Sequence, residues 1–245
     1  MSKKSEFIFG LHSVVSVLKQ HPENVQVIYV QKEREDKRLQ EIIQLANAYE
    51  VSIQLTARQS LDSMVAGQHQ GVIAQCKVTK SKDLIELLDQ FTEPPFLLLL
   101  DGVQDPHNLG ACLRSANAAG VQAVIVPKDN AVGLTPAVHK VASGAAQVTP
   151  FITVTNLART MAMLKERNIW LYGTDENAKQ SLFEADLKGP IAFVLGAEGS
   201  GLRHLTKEHC DHLIKIPMLG TVSSLNVSVA TGICLFEAVR QRTSC

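Results

Sequence analysis

The first of three segments whose side chains could do chemistry spans residues 101–114, where a carboxylate, an amide and a guanidinium follow an apolar run. That run, residues 96–100, is typical of a strand that is covered on both faces. The pattern predicts a helix over residues 109–119, with Asn108 as its N-cap. The N–H groups at a helix start also bind anions and polar ligands. Asn108 and Arg114 are therefore candidate site residues, although capping alone would also explain Asn108.

The second segment, residues 193–201, follows another predicted strand and contains three glycines within six residues, with Glu198 between them. Glycine lets a backbone approach a ligand closely. The spacing differs from the Gly-x-Gly-x-x-Gly fingerprint of dinucleotide-binding proteins, and no phosphate-binding lysine follows. It is not the nucleophile elbow of hydrolases either, because Glu198 stands where the first glycine would be. A tight turn without any ligand is the alternative explanation.

The third segment, residues 216–230, places Ser224 and Asn226 at the start of a helix predicted over residues 226–240. Both residue types can offer hydroxyl, amide and carbonyl groups to a substrate, but both also cap helices. In a parallel α/β sheet, ligands bind beyond the carboxyl ends of the strands. Because each segment follows a strand, we expect the three to line one edge of the sheet and form a binding crevice.

These segments are positioned by a regular alternation of strands and helices, which begins at residue 96 and predicts a parallel α/β sheet. Further strands are expected over residues 121–126, 148–154, 169–172, 191–195 and 212–216, and further helices from Pro136 and Asn156. Two adjacent prolines, Pro94 and Pro95, stop both helix and strand. We therefore predict a small α/β domain over residues 1–78, a linker over 79–95 and a catalytic domain over 96–245.

The composition narrows the class of protein. With 45% apolar and 20% charged residues the chain is an ordinary globular sequence, and its longest purely apolar run is too short to span a bilayer. Five scattered cysteines without a Cys-x-x-Cys pair favour a reducing, cytoplasmic location. The zero net charge weighs against extensive phosphate contacts but permits a local basic patch. We expect no metal, because the clustered His204, His209, Cys210 and His212 lack the paired spacing of a zinc site.

Together the three segments resemble the three motifs of the SpoU family of RNA 2′-O-ribose methyltransferases, part of the SPOUT superfamily. Asp-Pro-His-Asn-Leu-Gly at 105–110 with Arg114 resembles the first motif, residues 195–202 the second and residues 216–230 the third, in the same order. The resemblance covers about residues 96–242 and implies a parallel sheet with a trefoil knot. The N-terminal part resembles the family's substrate-binding domain, an RNA-binding fold like that of some ribosomal proteins, in its turns at residues 9–14 and 69–72.

The resemblance also implies roles for individual residues. Backbone around four residues would hold the methyl donor S-adenosylmethionine: Gly196, Ile216, Met218 and Leu225. Arg114 would activate the ribose hydroxyl, while four polar residues would orient the ribose, a phosphate and Arg114, namely Asn108, Glu198, Ser224 and Asn226. Arginine stays protonated under ordinary conditions. Arg114 is therefore either a base assisted by an RNA phosphate or a cation that positions phosphate and lowers the pKa of the hydroxyl.

The partners implied by the resemblance are large-subunit (23S) ribosomal RNA, with guanosine as the methylated nucleoside, and a second copy of the chain. No membrane and no metal are expected. The last helix, with Val229 and Phe236, has more apolar surface than one core contact needs, which fits a homodimer. Two alternatives stay open: a guanosine 2′-O-methyltransferase acting on transfer RNA, and a non-catalytic RNA-binding factor of ribosome assembly. The complete set of polar motif residues argues against the second alternative.

Overall fold

A computed structural model of the chain describes residues 5–32, 34, 36–65, 67–77, 84–199 and 201–243, except for the side chains of Glu6 and Gln20. Its contacts divide the chain into two compact units: Met1–Lys80 with Ser143–Val148, and Ser81–Ala142 with Thr149–Cys245. The predicted linker over residues 79–95 lies partly outside the described residues, which resume at Leu84. The predicted domain boundaries therefore stay predictions.

The first unit contains one four-stranded sheet with helices packed on it. Its elements up to residue 77 are β1 (Ser5–Phe9), α1 (Leu11–Gln20), β2 (Val25–Gln31), α2 (Lys37–Ala48), β3 (Ser52–Thr56), α3 (Arg58–Met64) and β4 (Val72–Lys77). The strand order is β1-β4-β2-β3, in which β2 and β3 are parallel and the other pairs antiparallel. α1 and α2 pack on the sheet around the fully buried Val14, Ile28 and Ile42. The small N-terminal α/β unit predicted from the sequence is confirmed.

The second unit contains a seven-stranded sheet. The remaining elements are α4 (Leu84–Leu88), β5 (Phe96–Asp101), α5 (Pro106–Ala118), β6 (Ala123–Pro127), α6 (Pro136–Ala142), α7 (Ala145–Val148, part of the first unit), β7 (Phe151–Val154), α8 (Leu157–Glu166), β8 (Trp170–Thr174), β9 (Gln180–Ser181), β10 (Ile191–Gly196), α9 (His204–His209), β11 (His212–Lys215) and α10 (Val227–Thr243). The strand order is β7-β6-β5-β10-β8-β11-β9, and every pair is parallel. The predicted parallel α/β class is confirmed, whereas the trefoil knot stays a prediction.

Strands β5 and β10 lie side by side in this sheet, and every one of their residues is buried. Apolar side chains such as Leu97 and Val194 pack in one core with residues of α4 and α8. α10 packs against α5 and β10. Because Gly196 pairs with Asp101 at the ends of the two strands, the loops that follow leave the sheet next to each other. The sheet therefore positions the first and second candidate segments as neighbours.

The strand predicted over residues 148–154 is wrong at its start. β7 begins at Phe151, because Val148 ends the short helix α7 and Pro150 has no N–H group to donate to a sheet ladder. By contrast, Asn156 caps α8 as predicted, since its side chain accepts the N–H of Arg159 at 2.9 Å. Among the residues that the structure describes, none of the helices is both long and apolar enough to cross a membrane.

Candidate active site

Three polar side chains, one from each candidate segment, meet beyond the carboxyl ends of β5 and β10. Nδ2 of Asn108 donates to Oε2 of Glu198 at 3.1 Å, and Nδ2 of Asn226 donates to Oδ1 of Asn108 at 2.9 Å. Nδ2 of Asn226 also lies 3.5 and 3.4 Å from the two carboxylate oxygens of Glu198. These residues, called the Asn–Glu–Asn cluster below, close a triangle of hydrogen bonds, so the structure brings the three segments together.

Asn108 takes part because it is not the N-cap that the sequence predicts. α5 begins at Pro106, and Asp105 caps it by accepting the N–H of His107 at 3.1 Å. Proline suits the first helical position, since its missing N–H would have no partner there. The hydrogen bond from the backbone of His107 is the main reason that the pKa of Asp105 lies below its ordinary value. Asn108 is consequently buried inside the first turn, with its side chain directed to Glu198.

Asn226 combines helix capping with membership of the cluster. Its Oδ1 accepts the N–H of Ser228 at 2.9 Å and the hydroxyl of Ser228 at 2.6 Å, at the start of α10. Its Nδ2, at the other end of the amide, donates to Asn108 and Glu198. Both explanations that the sequence leaves open for Asn226 therefore apply at once. The cap also fixes which end of the amide faces the cluster.

The glycine loop, residues 196–203, connects β10 to α9, and all of it except Ser200 belongs to the described residues. The N–H of Gly201 donates to the carbonyl of Ala197 at 2.9 Å, which folds the loop back on itself. A Cβ atom built on Gly196 would lie 2.0 Å from the carbonyl carbon of Gly201. No side chain fits in that space, so the close approach of the two backbones requires glycine at residue 196.

Two neighbouring cavities open at this edge of the sheet. The larger one, called the larger cleft below, has a volume of about 710 Å³. Its lining includes all four residues that the resemblance assigns to the methyl donor: Gly196, Ile216, Met218 and Leu225. The three apolar side chains among them are half-buried. The structure therefore gathers these residues around one space.

The smaller cavity has a volume of about 390 Å³. Asp101, Asn108, Glu198 and Arg203 are among its lining residues. The residues that line both cavities are Ala197, Glu198, Gly201 and Val227. Glu198 consequently stands in the wall that the two cavities share, where a group bound on one side could meet a group bound on the other.

Comparison with known proteins assigns the chain to a family. Residues 95–236 match the family described as SpoU rRNA Methylase, which is more than half of the chain. The chain belongs to the SpoU rRNA methylase family. Residues 7–80 match a second family, described as RNA 2'-O ribose methyltransferase substrate binding.

Curated relatives of this SpoU chain match over almost the whole length. A Shewanella oneidensis protein named 23S rRNA (guanosine-2'-O-)-methyltransferase RlmB is 57% identical over 99% of this chain and 100% of its own. An Escherichia coli K12 protein of the same name is 56% identical over 98% of this chain and 100% of its own. Among solved structures, the SpoU methyltransferase AviRb of Streptomyces viridochromogenes, in complex with AdoMet, is 25% identical with a TM-score of 0.81, covering 98% of this chain and 92% of AviRb.

A fourth segment of this SpoU chain, which the sequence does not single out, also reaches the larger cleft. Residues 174–177 follow β8 and line the cleft together with Lys207. Nζ of Lys207 lies 2.8 Å from Oδ2 of Asp175, and this hydrogen bond is the main reason that the pKa of Asp175 lies below its ordinary value. The segment contains no glycine. Only its place after a parallel strand next to β10 could have indicated it.

The structure does not bring Arg114 to the Asn–Glu–Asn cluster within one chain. Arg114 is exposed on α5 and lines neither cavity, and none of the hydrogen bonds among the described residues joins it to Glu198. Ser224 is exposed and lines the larger cleft. The roles expected of Arg114 and Ser224 stay predictions.

The clustered histidines have other surroundings. His204 and His209 lie at the two ends of α9, whereas His212 opens β11 and stacks on Tyr172 with ring centroids 4.9 Å apart. Within the described ranges, no group of three or more His, Cys, Asp or Glu side chains is placed to hold a metal ion.

Proposed function

We propose that the chain transfers a methyl group from S-adenosylmethionine to the ribose 2′-hydroxyl of a guanosine in 23S ribosomal RNA. The observation that carries the proposal is the Asn–Glu–Asn cluster, whose Glu198 stands in the wall shared by two cavities. A methyl donor in the larger cleft and a nucleotide in the smaller cavity would meet at this wall. Relatives that share more than half of their residues with this chain are named for the same activity.

The larger cleft fits S-adenosylmethionine in its size and in the groups that it offers. Ile216, Met218 and Leu225 flank the glycine loop, whose main-chain N–H and C=O groups suit a neutral purine. When bound, this cofactor supplies a methyl carbon attached to a positively charged sulfur. Glu198 also lines the cleft, and its carboxylate favours a nearby positive charge.

The residues of the chain would prepare the ribose hydroxyl. During transfer the ribose oxygen bonds to the methyl carbon, the sulfur keeps the electron pair of the broken carbon–sulfur bond and the hydroxyl proton passes to water, so the reacting groups must be held in line. Two amides fix the carboxylate of Glu198 at the wall, where it can orient the hydroxyl or a guanidinium. Arg114 would pair with an RNA phosphate and lower the pKa of the hydroxyl by its charge. Ser224 would orient the ribose from the larger cleft.

The proposal includes a homodimer in which Arg114 serves the site of the second copy. Arg114 is exposed and lines neither cavity of its own chain. α10, which packs against α5, exposes Val229 and Phe236, and the half-buried Ile233 lies between them at helical spacing. An apolar stripe of this kind next to the helix that carries Arg114 is a surface that a second copy would cover.

The first unit would bind the RNA substrate through the two turns that the sequence singles out. The N–H of Leu11 donates to Oε1 of Gln70 at 3.1 Å, so the turn at 69–72 meets the start of α1. A Cβ atom on Gly71 would lie 2.9 Å from Nη1 of Arg34, so this guanidinium rests against the turn. Nη1 of Arg38 lies 3.5 Å from Nε2 of His12 nearby on α1. Cationic groups of the kind that contact RNA phosphates thus lie beside these turns.

Arg38→Ala tests this surface. Removing one phosphate contact should weaken RNA binding and reduce the salt dependence of the affinity by about one charge, without changing the affinity for S-adenosylmethionine. Binding to 23S ribosomal RNA fragments at several salt concentrations provides the measurement. Lys19→Ala is the matched control, because Lys19 is an exposed cation of the same unit that pairs with Glu41 at 3.0 Å. Equal salt slopes for all three proteins would count against the surface.

The proposal also includes a cytoplasmic location. Three of the cysteines that the structure describes have free thiols: Cys112, Cys210 and Cys234. Free thiols are what a reducing compartment maintains.

The proposed function is tested by incubating the purified chain with methyl-labelled S-adenosylmethionine and 23S ribosomal RNA, 16S ribosomal RNA or total transfer RNA. We expect one 2′-O-methylated guanosine in 23S ribosomal RNA and none in the other two. Methylation of transfer RNA alone would replace the substrate in the proposal. RNA binding without any binding of S-adenosylmethionine in calorimetry would instead support the assembly-factor alternative. A map of 2′-O-methyl groups from cells that lack the protein checks the same result in vivo.

A further inference from the structure

The side chain of Asp101, at the end of β5, is completely buried. Few charged side chains among the described residues are buried so deeply. The carboxylate of Asp101 accepts hydrogen bonds from Nε of Arg203 at 2.8 Å, from the backbone N–H of Arg203 at 3.3 Å and from the hydroxyl of Thr206 at 2.7 Å. A further hydrogen bond comes from Nη2 of Arg203. The contact with Asp101 is also the main reason that the pKa of Arg203 is raised.

These bonds hold the far end of the glycine loop. At its near end, Gly196 is paired with Asp101 in the sheet, and at its far end Arg203 is bound to the same aspartate. Thr206 ties the first turn of α9 to the same carboxylate. Asp101 therefore meets both ends of the loop that carries Glu198. The rest of the loop, where it is described, forms part of the wall shared by the two cavities.

Stability alone does not account for this arrangement. A buried carboxylate loses its hydration, and apolar residues of similar volume often replace such ion pairs without loss of stability. The side chain of Arg203 is 52% exposed and lines the smaller cavity, so its position matters to that cavity rather than to the apolar core. Without the bonds to Asp101, a loop with three glycines would be held at Glu198 by the two asparagines alone.

We propose that Asp101 is a positioning residue, which acts through Arg203 and Thr206 to hold the glycine loop so that Glu198 faces the two asparagines. This inference rests on the proposed function, because it assigns Glu198 a part in methyl transfer. The carboxylate of Asp101 is completely buried, so it would act through the loop and not by contact with the methyl donor or the ribose. Displacement of a reacting group by about 1 Å can lower a rate by about 100-fold, so a loosened loop should be visible in turnover.

The test is a double-mutant cycle with Asp101→Asn and Glu198→Gln, in which methyl transfer and melting temperature are both measured. In the parent chain, Asp101→Asn should lower kcat about 10- to 100-fold and change the KM for RNA less than about threefold. In the Glu198→Gln background it should lower kcat less than about twofold, because the residue that it positions is already altered. A simple loss of folded protein would lower kcat by the same factor in both backgrounds and would overturn the inference.

Asp89→Asn is the matched control. Asp89 pairs with Arg167 at 2.6 Å in the same unit but lines neither cavity, so its change should leave kcat unaltered. If Asp101→Asn does not fold, Arg203→Met removes the contact from the exposed side and should reproduce its non-additive effect. Unchanged kcat in the variant that folds would overturn the inference.

Calorimetry with S-adenosylmethionine gives a readout that does not depend on turnover. The loop also lines the larger cleft, so Asp101→Asn should weaken binding severalfold while Asp89→Asn should not. If the parent chain methylates RNA and both affinity and kcat survive Asp101→Asn, the positioning role fails and the proposed function stands. If the parent chain methylates no RNA, the proposed function fails, and the loss of binding in Asp101→Asn still supports the hold on the loop.

Discussion

The two cavities at the carboxyl edge of the sheet share a wall but differ in what surrounds them. The larger cleft places half-buried Ile216, Met218 and Leu225 beside the main chain of the glycine loop, and it also has charged lining residues such as Asp175. The smaller cavity is lined by carboxylates, amides and the guanidinium of Arg203. Main-chain groups can recognise a neutral ring, whereas fixed polar side chains can orient a reacting hydroxyl. Changes in the two linings should therefore give different kinetic signatures.

Arg114→Ala should produce the largest effect, although Arg114 lines neither cavity of its own chain. If Arg114 activates the hydroxyl as proposed, its loss should lower kcat about 1000-fold while leaving the affinity for S-adenosylmethionine unchanged. Methyl transfer to 23S ribosomal RNA and calorimetry measure the two quantities. Full activity of the variant would remove Arg114 from the mechanism.

A mixing experiment then decides which copy Arg114 serves. If Arg114 acts across a homodimer, an inactive Arg114→Ala chain and an inactive Asn226→Ala chain should recover activity when they are mixed and allowed to exchange subunits. The recovered dimer would contain one complete site. No recovery from subunits that do exchange would place Arg114 in the site of its own chain.

Glu198→Gln should have the next largest effect, because Glu198 stands in the wall that the two cavities share. It removes the charge that accepts hydrogen bonds from two amides, and we expect kcat to fall about 100-fold and the affinity for S-adenosylmethionine to fall by a smaller factor. Glu208→Gln is the control, since Glu208 is an exposed carboxylate outside both cavity linings. A change in affinity larger than the change in kcat would assign Glu198 to the larger cleft.

Gly196→Ala should show the opposite pattern. The added Cβ would lie 2.0 Å from the carbonyl carbon of Gly201, so the glycine loop, which lines the larger cleft, must shift. We expect the affinity for S-adenosylmethionine to fall at least about tenfold, which corresponds to about 1.4 kcal/mol of binding free energy. Gly133→Ala is the control, because nothing lies within 4 Å of a Cβ atom there. Equal affinities in calorimetry would show that the close approach is not needed for binding.

Asp175→Asn should have the smallest effect, because the Asp175–Lys207 ion pair in the larger cleft is partly exposed. The pKa of Asp175 is below its ordinary value of 3.8. The ion pair therefore stabilises the folded chain fully at pH values above 3.8. This stabilisation is lost as the pH falls through the lower pKa of the folded state. We expect the variant to lose less than about 1 kcal/mol of unfolding free energy at pH 7. Urea unfolding measures this difference, which should shrink on acidification. A constant difference between neutral and acidic pH would exclude the ion pair as its cause.

Much of the catalytic fold follows from the sequence, because buried parallel strands are continuous apolar runs and glycines mark the loops between them. The position of Asn108 does not follow, since Asp105, Pro106 and Asn108 are all compatible with a helix start and only the fold shows which one caps it. The same ambiguity concerned Asn226, whose amide has both roles. The type and order of residues therefore indicate the candidate site residues, but only the structure shows their hydrogen-bond partners.

Two other parts of the site could not be predicted for physical reasons. Asp101 and Arg203 are 102 residues apart, and nothing in local pattern links a buried carboxylate to a distant arginine. Residues 174–177 carry no motif, so only the order of strands in the sheet places them at the larger cleft. Arg114 is the reverse case: its motif is plain in the sequence, while the structure leaves it exposed and outside the lining of both cavities.

The wall shared by the two cavities has a thermodynamic consequence of its own. It is formed by Ala197, Glu198, Gly201 and Val227. If this shared wall moves toward a ligand in one cavity, the shape of the other cavity changes as well. If one ligand changes the affinity of the second by some factor, the second ligand changes the affinity of the first by the same factor, because linkage between two binding equilibria is reciprocal. Exchange of the methyl donor for its demethylated product would thereby change the affinity for RNA. This change would give the chain a means of releasing the methylated RNA.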